Sequence, residues 1–78
     1  MKDLVEFIAK SLVDDPTQVS VSEVEGHREV RIELRVADED LGRVIGRNGR
    51  VANSIRSLMR VAATRKGVRS SLDIVSPQ

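Results

Sequence analysis

The chain has 78 residues, with 13 lysines and arginines against 12 aspartates and glutamates, one histidine, one aromatic residue and no cysteine. That length supports one small core, and 40% apolar with 32% charged residues fits a soluble globular domain rather than a disordered one. Disulfides and thiolate metal sites are excluded, no apolar run is long enough to cross a membrane, and the start Met1-Lys2-Asp3-Leu4 does not read as a cleavable signal, all of which fits a cytoplasmic protein.

Leu4, Val5, Ile8, Ala9, Leu12 and Val13 recur at helical spacing, so a first helix is expected from about residue 3 to 13. Asp3 is its candidate N-cap, and Asp14-Asp15-Pro16 ends it. Val19, Val21 and Val24 alternate with polar residues in a short strand, and Glu25-Gly26-His27 supplies a turn. Val30, Ile32, Leu34 and Val36 then alternate strictly with Arg31, Glu33 and Arg35, the pattern of a strand with one buried and one wet face.

Asp38-Glu39-Asp40 place three acids at the start of a short helix, where the helix dipole favours them, and Leu41, Val44 and Ile45 form its apolar side. Gly46 and Gly49 bracket a tight loop. A longer helix is expected from Arg50 to about Thr64, with Val51, Ile55, Leu58, Met59 and Ala62 as its core stripe and Gly67 after its end. Val68, Leu72 and Ile74 suggest a last strand, and Ser76-Pro77-Gln78 a tail. The order helix, strand, strand, helix, helix, strand predicts a two-layer α+β domain, with helices on one face of a small sheet.

Charge is not evenly spread. Residues 1–40 carry eleven acids and five bases, and residues 41–78 one acid and eight bases, so a chain of net charge +1 has an acidic half and a basic half. The basic half begins with the Gly46–Gly49 element, which points to a polyanionic partner. Two glycines let a backbone turn sharply and lie against a ligand, and the helix that follows presents N–H groups without intrahelical partners. A phosphodiester backbone suits such a place.

The block Val44-Ile45-Gly46-Arg47-Asn48-Gly49-Arg50-Val51, preceded by Leu41-Gly42-Arg43 and set between two helices, resembles the Gly-x-x-Gly element of the bacterial type II KH fold. The likeness covers nearly the whole chain, so residues 1–78 are expected to form a single KH domain whose helix-loop-helix core lies at about 38–65. At this size, with no second domain expected, it resembles the small bacterial single-KH proteins of the KhpA kind. The resemblance implies three helices on one face of a three-stranded mixed sheet and a clamp for single-stranded RNA. It implies that Gly46 and Gly49 admit the sugar-phosphate backbone, that Arg47 and Asn48 reach phosphates, and that Arg43 and Arg50 flank them. Asn53 and Arg56, on the following helix, become groove-edge contacts, and Val44 and Ile45 are either groove floor or core. Further implications are an RNA chaperone or post-transcriptional regulator, a link to cell shape and cell-wall control, a homodimer, and a heteromer with a larger KH-containing protein of the Jag kind.

With Phe7 as its one aromatic residue, on the first helix, the chain lacks the stacking platform of other single-strand modules, so permissive and salt-sensitive binding is expected. Phe7 reads as a core or interface residue. Two other readings stay open on the residues alone: a helix-turn-helix module using the Arg50–Thr64 helix on duplex DNA, and a protein-interaction module in which the glycines only shape a turn. The first helix through Phe7, or the 50–64 helix through Met59 or Val61, is the candidate dimer surface. Enzymatic chemistry has no foothold. His27 is a lone turn residue, no cysteine nucleophile exists, Ser54, Ser57, Ser70 and Ser71 lack a recognisable base, and the loop lacks the Gly-Lys-Ser/Thr ending of a triphosphate-binding loop. No metal, cofactor or small-molecule substrate is expected.

Overall fold

The computed structural model describes residues 1–76. Three helices, α1 (Lys2–Leu12), α2 (Leu41–Ile45) and α3 (Arg50–Lys66), and three strands, β1 (Ser20–Gly26), β2 (Glu29–Arg35) and β3 (Arg69–Val75), occur in the order α1-β1-β2-α2-α3-β3. The strands lie side by side in chain order, β1 antiparallel to β2 and β2 parallel to β3. The expected α+β architecture with a mixed sheet is present. The tail residues Pro77 and Gln78 lie outside the described residues.

β2 forms because its alternation matches the pleat. Val30, Ile32 and Leu34 turn into the core, while Arg31 and Arg35 remain on the wet face. There Arg35 bonds Glu33 at 2.9 Å and Arg31 lies 3.7 Å from Asp73 of β3. β1 has only Val21 buried, and Glu23, Val24 and Glu25 are exposed. The two strands join through His27 and Arg28, and Arg28 adopts φ 57°, a left-handed turn conformation.

A parallel strand cannot follow β2 directly, so the chain crosses over through α2 and α3 before β3 pairs, with Ile32 opposite Leu72. Val5 and Ala9 of α1, Val44 of α2, and Ile55 and Met59 of α3 close the core against Ile32, Leu34 and Val36. α3 runs past the expected Thr64 to Lys66, and Gly67 closes it at φ 71°, its N–H on Thr64 and that of Val68 on Ala63. The core stripe of α3 also turns slightly from the expected one. Ala52 and Ala63 are buried with Ile55 and Met59, whereas Leu58 is half exposed. Phe7 is 72% exposed and so is not a core residue; Val5 and Ala9 take the inner face of α1 instead. Asp3 lies in the first turn of α1 rather than capping it, since the helix starts at Lys2 and its N-cap is Met1, two residues earlier.

The acids at 38–40 differ from expectation too. They form a 3-10 turn ahead of α2, and Asp40 is buried at 2% exposure. Its carboxylate accepts the backbone N–H groups of Asp14 and Asp15 at 3.1 and 3.2 Å and lies 3.3 Å from the Arg43 guanidinium. A buried carboxylate is tolerable only when bonded in this way. Asp40 therefore ties the end of α1 to the start of the crossover, a task more specific than favouring a helix dipole.

Asp40→Ala strands two backbone donors and is expected to cost about 2–3 kcal/mol, read as a lower denaturation midpoint at unchanged m-value. Asp40→Asn keeps one acceptor oxygen and falls between the variant and the parent.

Candidate nucleic-acid interface

The loop between α2 and α3 is built from backbone conformations that restrict its sequence. Gly46 closes α2 by donating to Gly42 O at 2.9 Å and sits at φ 77°, ψ 172°, a region open essentially to glycine alone. A Cβ there would meet Val51 Cγ2 at 2.5 Å and the Val51 backbone nitrogen at 2.9 Å. Asn48 (φ 57°) and Gly49 (φ 75°) are both left-handed, and asparagine is among the few side chains that enter that region readily. Asn48 thus has a conformational reason as well as a polar one. The N–H of Gly49 returns to Gly46 O at 3.1 Å, closing the turn.

α3 starts directly on Gly49. No side chain caps its N-terminus, and no acid lies in its first turn. The Arg50 N–H is taken by Arg47 O, and the positive end of the α3 dipole lies beside the exposed side chains of Arg47, Asn48 and Arg50. Neither Arg47 nor Arg50 is in an ion pair among the described residues. The loop is thus a small polar platform with uncompensated positive charge.

The flanking residues divide. Arg43 is bound elsewhere: its guanidinium lies 2.9 Å from Asp14 and 3.3 Å from Asp40, which holds α2 to the segment after α1. Asn53, Arg56 and Arg60 follow one another on α3 at spacings of three and four residues, which puts them on one face. Arg56 donates to Asn53 Oδ1 at 3.3 Å and to the backbone carbonyl of Leu72 at 3.2 Å, so it bridges α3 to β3. Beside that bridge is a shallow depression lined by Arg56, Met59, Arg60, Ser70, Ser71 and Leu72. Val44 is fully buried and belongs to the core, whereas Ile45 is 38% exposed. The structure adds Arg60, Ser70 and Ser71 to this surface. Arg60 was legible as the i+4 partner of Arg56; the two serines were not, because only the docking of β3 beside α3 brings them there.

Among the described residues no group of His, Cys, Asp or Glu is placed to hold a metal ion, and no helix is long and apolar enough to cross a membrane. A helix-turn-helix reading does not account for the paired strands or for the parallel β3.

A family model described as the KH domain of KhpA/KhpB matches residues 2–74. The chain is 49% identical over 75 residues to a protein named RNA-binding protein KhpA from Clostridium acetobutylicum, covering 96% of this chain and all of that one. It is 44% identical to the protein of that name from Aquifex aeolicus, covering 96% and 95% of the two chains, and 43% identical to that of Chlamydia caviae, covering 96% of each. No solved structure matches.

The two loop glycines are expected to differ in tolerance. Gly49→Ala has open space, its nearest neighbour being Asn53 Nδ2 at 3.9 Å, and costs about 1–2 kcal/mol for the left-handed backbone. Gly46→Ala adds a collision with Val51 to its strain. Chemical denaturation should therefore rank Gly46→Ala clearly below Gly49→Ala.

Proposed function

The chain belongs to the KhpA/KhpB KH-domain family, and we infer that it holds single-stranded RNA through the 46–49 loop with little sequence discrimination. The carrying observation is the loop itself: a closed turn at a helix start with no side-chain cap, carrying Arg47 and followed by Arg50, neither of which is in an ion pair among the described residues. Its relatives' names as RNA-binding proteins support the same reading.

In this reading residues 1–78 act as one KH domain. Gly46 and Gly49 let the sugar-phosphate backbone approach. Arg47 supplies charge and Asn48 hydrogen bonds to phosphate oxygens, with Arg50 at the helix start beside them. Asn53 and Arg56 border the strand further along α3, and Ile45 offers apolar contact. Arg43 contributes at one remove, holding α2 through Asp14 and Asp40. Phosphate contacts carry no sequence information, and the one aromatic residue, Phe7, belongs to α1 rather than to the loop or α3, so affinity rests on charge and groove contact. Such a protein suits RNA-chaperone or post-transcriptional work in the cytoplasm.

Association follows from the same surface analysis. Leu58 and Val61 on α3 are 50% and 56% exposed, and Leu4 and Phe7 make a second apolar patch on α1. These patches support a homodimer and a heteromer with a larger KH protein of the Jag kind. Met59, a sequence candidate for that surface, is buried and not accessible to a partner.

The test is RNA binding by the purified protein, parent beside Arg47→Asp/Asn48→Asp, on single-stranded RNA and duplex DNA at low and moderate salt. The parent should prefer RNA and weaken steeply as salt rises. The double variant should stay folded by circular dichroism and lose binding. Retained binding in the folded variant places the site elsewhere, and no binding by the parent leaves only an interaction module.

A further inference from the structure

The depression beside Arg56 does not end there. It shares Arg60 and Ser70 with a second depression that continues to Thr64 and Val68. That one shares Val68 and Arg69 with a third, bounded by His27, Arg28 and Glu29 of the β1–β2 turn. The three form one groove along the seam between α3 and β3. It runs from mid-helix to the pole of the domain opposite the loop. Four arginines line it, Arg56, Arg60, Arg69 and Arg28, against a single carboxylate, Glu29. None of the four is in an ion pair among the described residues.

Elsewhere on the surface the bases divide: Lys10, Arg31, Arg35 and Arg43 each have a carboxylate partner, whereas Lys2, Arg65 and Lys66, like the loop arginines, are in no ion pair among the described residues. What distinguishes the seam is that four unpaired arginines line one continuous run of surface. Arg28 and Arg69 are joined through their backbones, the Arg69 N–H donating to Arg28 O at 2.9 Å. Both arginines line the same depression, and the one acid there, Glu29, lies opposite Arg69 in the sheet register but forms an ion pair with neither. A helix of 17 residues puts this pole about 25 Å from the Gly46–Gly49 loop. A loop that grips about four nucleotides leaves the far part of the seam empty.

Resting on the clamp reading above, we propose that Arg28 and Arg69 form a distal phosphate site, so that a longer single strand follows the α3–β3 seam from the loop to the β1–β2 turn. The ligand is the phosphodiester backbone of single-stranded RNA extending beyond the clamped nucleotides. The contact is electrostatic and independent of sequence. Arg56 and Arg60 form the middle of the path.

The experiment compares the parent with Arg28→Asn/Arg69→Gln on strands of about four and about twelve nucleotides, each titrated with salt. Asparagine suits the left-handed backbone at position 28, and the bond between positions 28 and 69 is made by main-chain atoms, so the fold is preserved and a thermal melt verifies it. The short strand should bind both proteins alike. The long strand should bind the parent more tightly than the short one and lose on the order of tenfold in the variant. Its log–log salt slope should become shallower by about 1.4 for two lost contacts. Equal affinity of parent and variant for the long strand, or equal loss on both lengths, overturns the distal site. Arg47→Asp/Asn48→Asp runs alongside as the control for the clamp. If it abolishes binding while Arg28→Asn/Arg69→Gln changes nothing, the distal site alone fails. If the parent binds neither strand, the clamp fails and the distal site with it. Arg28→Asn alone, expected to show a smaller loss confined to the long strand, provides the same test should the double variant melt early.

Discussion

The parallel pairing of β2 with β3 is the constraint on which the rest of the structure depends. Two antiparallel strands need only a turn, as β1 and β2 show with His27 and Arg28. Parallel strands require the chain to travel back over the sheet before it pairs again. Here that return is α2, a turn and α3, and the turn falls at the end of the sheet where β2 finishes. Because α3 then retraces the length of β3, helix and strand lie alongside one another in opposite senses. The loop and the seam are therefore two parts of one crossover. Ile55 and Met59 hold it down on Ile32, Leu34 and Leu72, and at about 1.5–3 kcal/mol for each large apolar side chain buried, these contacts fix where the loop stands.

A second division, electrostatic, overlies the first. Acidic residues dominate the first half of the chain, and four bases are paired with carboxylates: Lys10 with Glu6, Arg31 with Asp73, Arg35 with Glu33, Arg43 with Asp14 and Asp40. The Glu6 carboxyl is held below its ordinary range by the hydrogen bond and charge of Lys10. These exposed pairs contribute little to stability. Their effect is on where positive charge remains. With those four neutralised, the uncompensated arginines lie on the loop, on α3 and around the β1–β2 turn. A net charge of +1 thus becomes a directional field.

Most of the fold was legible because its signals are periodic. Val30, Ile32 and Leu34 announce a strand by strict alternation, and Val5 and Ala9 mark the inner face of a helix by spacing alone. Gly46 and Gly49 are legible for a different reason: two glycines so placed have few uses other than backbone conformations closed to other residues, and Gly46 at ψ 172° has one. What was hidden depends on contacts between distant segments. Asp40 looks like a helix-start acid in sequence, and only the return of Asp14 and Asp15 to it, some 25 residues away, reveals a buried acceptor. Arg43 looks like a loop-flanking cation for the same reason, its carboxylate partners being invisible until the chain folds. Phe7 reads as core or interface because it is aromatic, and the core half of that reading fails because Val5 and Ala9 already fill the face that meets the sheet. Leu58 reads as core because it lies between Ile55 and Met59, and a small rotation of α3 is enough to expose it.

The bonds from Asp40 to the amides of Asp14 and Asp15 have a consequence for how the molecule breathes. α1 packs on the sheet through a narrow stripe and would by itself be the first element to detach in a local opening. To do so it must draw the segment that follows it, Asp14 and Asp15, away from Asp40 and leave a buried carboxylate without its amide donors, while Arg43 loses one of its two anchors. The opening of α1 is thereby welded to the loosening of α2, and α2 carries Gly46. The N-terminal helix and the glycine turn make up one cooperative unit of unfolding, and anything that seats on α1 also stiffens the turn at the other end of that unit.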